Sequence, residues 1–123
     1  MSVVSDLAYA SASKIADEIK RKRISSVEAL DFFLARVDSL DTSIKSVVTL
    51  DPERARVEAA RADAESAVGK SRGALHGVPM TIKDSYQTEG MRTTSGAPEL
   101  RDYVPEEDAW PVAKLRDAGA IIY

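Results

Sequence analysis

The sequence predicts an α/β fold in which helices cover a small sheet. Three observations point there: apolar residues at helical spacing over residues 12–40, short apolar or β-branched runs at 46–50, 78–82 and 120–123, and an alanine-rich stretch between the first two runs. Segments of helical and strand character alternating along one chain favour a sheet layered with helices.

The elements follow in order. Ala12, Ile15, Ala16 and Ile19 share one helical face, and Lys20-Arg21-Lys22-Arg23 reads as the solvated end of that helix, where the macrodipole favours cations. Ser25-Ser26-Val27-Glu28 matches a capping box, and Val27, Leu30, Leu34 and Val37 then line a second helix, with Phe33 and Leu40 beside them. Together these two segments predict a helical hairpin over about 12–40. Residues 46–50, SVVTL, predict a buried strand. Asp51-Pro52 opens an alanine-rich helix, as N-cap and first-turn proline, that runs to about Val68 and stops at Gly69. Residues 73–77 predict a loop and 78–82 a second strand, with Pro79 marking an edge or a bulge. Residues 88–96 are rich in turn formers. Asp108 is read as the N-cap of a helix carrying Val112 and Leu115 and closed by Gly119, after which residues 120–123 begin a further strand. The whole chain, 1–123, is thus one unit: hairpin, then β-α-β-loop-α-β.

Composition bounds the chemistry. The chain has 123 residues, 44% apolar and 30% charged, enough for one domain with a core. Its net charge of −3 lacks the basic footprint of a nucleic-acid binder. No apolar run approaches the roughly 18 residues that cross a bilayer, and the N-terminus has no basic, then apolar, leader pattern, so a cytoplasmic protein is expected. Without cysteine there is no disulfide and no thiolate chemistry; with His76 alone, a histidine-rich metal site is excluded.

Lys83 ends the apolar run Val78-Pro79-Met80-Thr81-Ile82. Side chains at the carboxyl ends of strands in α/β sheets converge on a ligand crevice, which makes it a candidate site residue. Such a lysine binds an anion, forms a Schiff base, or serves as a base once burial favours its neutral form; a solvated surface lysine is the plain alternative. A phosphate loop is disfavoured, since Ile82 rather than glycine precedes it.

The run Gly73-Ala74-Leu75-His76-Gly77-Val78-Pro79-Met80-Thr81-Ile82-Lys83-Asp84 resembles the signature motif of the amidase signature family. The likeness continues through Gly90-Met91-Arg92-Thr93-Thr94-Ser95-Gly96, Asp108-Ala109 and Leu115-Arg116-Asp117-Ala118-Gly119-Ala120, and upstream through ISSVEAL and VVTLDPE. It therefore covers essentially the whole chain.

The resemblance implies the N-terminal part of the amidase-signature fold: a mixed β-sheet covered by α-helices, incomplete at the C-terminus. It implies hydrolysis of linear carboxylic amides through an acyl-enzyme and a Ser/cis-Ser/Lys triad, with Lys83 as the catalytic lysine, buried in a dry crevice. Asp84, Thr94, Ser95 and Gly96 would support the loop or wall the pocket. His76 is read as a hydrogen-bonding or solvated loop residue rather than a base. The family's nucleophile and cis-serine lie in a downstream Gly/Ser-rich segment, and no serine of this chain, Ser85 and Ser95 included, sits in a matching context. The expectation is a truncated piece, inactive alone, with a small-molecule amide as substrate, the C-terminal remainder of the enzyme as partner, and no cofactor, metal, nucleic acid or membrane. Full-length family members are often oligomeric. Other readings are the amidase subunit of a tRNA-dependent amidotransferase, a non-catalytic complementing or binding fragment, and a degraded gene product.

Overall fold

The computed structural model describes residues 7–123. Residues 1–6, which belong to the segment read as lacking a leader, lie outside the described part. Helix α1 (Ala12–Lys20) starts at Ser11, whose hydroxyl accepts the Lys14 amide, and buries Ile15 and Ile19. The basic run divides at its end, with only Lys20 still helical.

Helix α2 (Ser26–Ile44) extends four residues past the expected end of the hairpin. Its capping box forms as predicted: Ser25 Oγ accepts the Glu28 amide at 3.0 Å, and Glu28 Oε2 accepts the Ser25 amide at 2.7 Å. Helix α3 (Pro52–Ala67) follows the Asp51 cap and Pro52. It packs on α2 through Ala55, Ala59 and Ala62, each fully buried, because small side chains let two backbones approach. Asp63 of α3 accepts the amides of Ser26 and Val27 at 2.6 and 3.1 Å, adding a tertiary cap to α2.

The strand expected at 46–50 does not form. Asp41 accepts the amides of Ser46 and Val47 at 2.8 and 3.0 Å, so donors that a ladder would need are held by a side chain. The segment runs as irregular chain, with Val48 and Leu50 exposed.

The expected strand 78–82 shortens to β1 (Pro79–Met80), and the C-terminal run forms β2 (Ile121–Ile122). They pair in parallel, Pro79 opposite Ile121, through Ile121 N to Val78 O and Tyr123 N to Met80 O. The carbonyls on either side of Pro79 carry the ladder, so its missing N–H is not called upon. Ile121 packs against α2 and α3, and Ile122 against Val112 and Met91, the alternation of a strand covered on both faces.

Helix α4 (Trp110–Asp117) fills the second face. Asp108 is not its N-cap. Ala109 holds that place without a side-chain bond, and Asp108 instead accepts the Glu89 amide at 2.7 Å and Arg116 Nε at 2.8 Å. No helix among the described residues is long and apolar enough to cross a membrane.

Candidate active site

The signature run closes against the end of α4. Leu75 donates to the Ala118 carbonyl and Gly77 to the Gly119 carbonyl, both at 2.9 Å, placing two stretches about forty residues apart backbone to backbone. A Cβ on Gly119 would meet the His76 Cα at 2.6 Å, so only glycine permits that approach. The contact fixes the entry to β1 and hence the place of Lys83.

His76 lies in the floor of this junction, 8% exposed. Its Nδ1 accepts the Arg72 amide at 3.0 Å, and Nε2 lies 3.0 Å from the Ala62 carbonyl and 2.9 Å from Ser66 Oγ. An amide donor on one nitrogen and a carbonyl acceptor on the other select the neutral Nε2–H tautomer. With both nitrogens engaged the ring is a structural tie, in agreement with its reading as a hydrogen-bonding loop residue.

Beyond β1 the chain opens into a groove of about 470 Å³ between residues 46–49 and the loop after Ile82. Lys83, Tyr86, Met91, Arg92, Val48 and Tyr123 line it. Lys83 is exposed on this groove; the described residues do not supply the dry surroundings that the family resemblance implies.

Asp84, next in sequence, is turned into its own loop. It accepts the Thr94 amide at 2.9 Å and the Thr94 hydroxyl, while its carbonyl accepts the Ser95 amide at 2.8 Å. Burial pushes the Asp84 carboxyl up, but the Thr94 hydroxyl and amide, the Gly96 amide and the Arg92 charge outweigh it and hold the group below its ordinary value. Ser95 and Gly96 both take left-handed backbone, φ 52° and 72°, and are exposed. These four residues form a turn clamp that carries the Lys83 loop.

Residues that the sequence reading did not nominate also line the groove. Thr49 donates to the Arg92 carbonyl at 3.2 Å, and Arg92 Nη2 to the Val48 carbonyl at 3.4 Å, so residues 46–49 wall the side facing the clamp. Arg92 had a signal in GMRTTSG and residues 47–49 one in VVTLDPE, but their meeting depends on contacts over forty positions away. Tyr123 closes the base, and burial raises its phenol above the ordinary value.

The model of the Amidase family matches residues 28–123, from the first turn of α2 through both strands and the groove. The chain belongs to the amidase signature family. Among its curated relatives, a glutamyl-tRNA(Gln) amidotransferase subunit from Moorella thermoacetica is 40% identical over 117 residues, 95% of this chain and 24% of that protein. The corresponding protein of Psychrobacter sp. is also 40% identical, over 96% of this chain and 23% of its own. The native peptide amidase from Stenotrophomonas maltophilia superposes with a TM-score of 0.87 at 32% identity, over 95% of this chain and 24% of that one. The chain thus spans about a quarter of the length of the amidase-family relatives it matches.

Proposed function

We propose that this chain is the lysine-bearing N-terminal part of an amide hydrolase, with Lys83 as the base of a Ser/cis-Ser/Lys triad whose serines lie in sequence beyond these 123 residues. The observation that carries the reading is the position of Lys83: three residues past the carboxyl end of β1, on a groove, within the span that the family model matches. Neutral Lys83 takes a proton from the bridging serine, which takes one from the nucleophilic serine as that oxygen attacks the amide carbonyl. The proton then passes to the leaving nitrogen, releasing ammonia or an amine. Water adds to the acyl-enzyme by the reverse proton path and frees the acid. Asp84 and Thr94 hold the loop, and the remainder of the enzyme supplies the cover that neutral lysine requires.

The test is ammonia release from a simple carboxylic amide, by the 123-residue chain alone and after mixing with a separately expressed C-terminal remainder of a close relative. The chain alone is expected to be silent and the mixture active, with Lys83→Ala lowering the mixture's rate by at least about 10³-fold, as for loss of a triad member. Lys83-dependent release by the chain alone would overturn the divided site. A mixture whose activity ignores Lys83→Ala would overturn the lysine's role.

The names of the curated relatives favour a second reading, the amidase subunit of a tRNA-dependent amidotransferase, in which ammonia from glutamine passes to a partner. Copurification of a partner protein together with a requirement for glutamine distinguishes it from a hydrolase acting alone.

A further inference from the structure

We propose that a groove separate from the Lys83 groove carries an anion site, built for a small phosphate-bearing ligand by Lys20 and Lys22 of the basic run together with Lys70. The run does not behave as one solvated helix end. Its arginines are spent: Arg21 pairs with Asp17 at 2.7 Å, and Arg23 with Glu18 at 3.1 Å. Its lysines are not. Lys20, Lys22 and Lys70 are exposed, enter no ion pair among the described residues, and line one groove of about 610 Å³ between α1 and the turn after α3.

Lys70 reaches that groove from about fifty residues further along the chain, so sequence proximity does not explain the meeting. Two of the lining residues take left-handed backbone, φ 57° at Lys22 and 75° at Gly69. The one carboxylate in the lining, Asp17, is already answered by Arg21. Ser66 and His76, hydrogen-bonded to each other at 2.9 Å, also line the groove. Three uncompensated ammonium groups around one concavity raise the local potential for a multivalent anion despite the chain's net negative charge. Lysine suits phosphate as a point charge, without the planar match that arginine demands. None of the residues lining this groove lines the Lys83 groove, so the site stands whether or not Lys83 is catalytic.

Inorganic pyrophosphate is the probe, titrated calorimetrically into the full 123-residue chain at low ionic strength. Saturable binding near one ion per chain is expected, weakened about fivefold in Lys20→Gln and again in the double variant Lys20→Gln/Lys70→Gln, and lost on raising the salt. The charge-matched double variant Lys45→Gln/Lys114→Gln, with both changes elsewhere on the surface, is expected to bind as the parent does. Absence of saturable binding, or equal weakening in both double variants, would overturn the site. All substituted positions are exposed, and unchanged melting curves confirm that folding is not what the variants report.

Discussion

Gly77 and Ser26 meet at the closest approach in the signature loop. Gly77 has φ 77°, and a Cβ there would fall 2.1 Å from Ser26 Oγ, inside the core. Gly77→Ala therefore combines left-handed strain with a clash, and is expected to lower unfolding free energy by more than about 2 kcal/mol in urea titrations. Ser26 Oγ is buried and makes no hydrogen bond, so Ser26→Ala should change stability by less than about 0.5 kcal/mol, or raise it. A large loss in Ser26→Ala would show that the hydroxyl has a partner and that the contact is misread. The need for glycine was legible as a loop signal in GALHG. Its reason was not, because Ser26 lies fifty-one residues earlier in the chain.

Among the elements, α2 shows how local and tertiary signals combine. Its capping box is written in four consecutive residues, whereas the Asp63 cap comes from α3 and has no local pattern. Replacing Asp63 by alanine removes acceptors from two amides in the first turn and is expected to cost about 1–2 kcal/mol, read from the urea midpoint, with Asp63→Asn recovering part of it. A neutral Asp63→Ala would mean the capping box alone suffices. The failure of residues 46–50 to form a strand has the same origin. Their β-branched pattern was correctly seen, but a strand needs a partner ladder, and Asp41 offered their amides a nearer acceptor. Residues 78–82 carried the same kind of pattern and did pair, though over two residues only, because β2 lay alongside.

At the scale of the whole molecule, several carboxylates among the described residues are held below their ordinary values. The Lys14 hydrogen bond lowers Glu18, the Arg72 hydrogen bond lowers Glu65, and hydrogen bonds from the Ser25 amide and Ser46 lower Glu28 and Asp41; Asp84 is lowered against its burial. Each therefore binds a proton more readily unfolded than folded. Their contribution is complete above the ordinary carboxylate values of 3.8 and 4.5 and is lost as pH falls through the lower folded values. Urea midpoints should fall steadily below about pH 4.5. A midpoint that rises on acidification would contradict these assignments. Glu18 is the most telling member, since it lies 2% exposed between Lys14 and Arg23 and bridges α1 to the turn that follows it.

Local sequence sufficed for the class of fold, the starts of α2 and α3, the glycine stops and the family, because these rest on periodicity, caps and contiguous motifs, all of which act within a few residues. It also singled out Lys83, through its place after an apolar run. Long-range packing set which apolar runs pair, that both nitrogens of His76 are tied, that Asp84 faces Thr94, and that residues 46–49 wall the groove. Those outcomes depend on which donors and acceptors meet across tens of residues, and packing settles that competition where no local pattern records it.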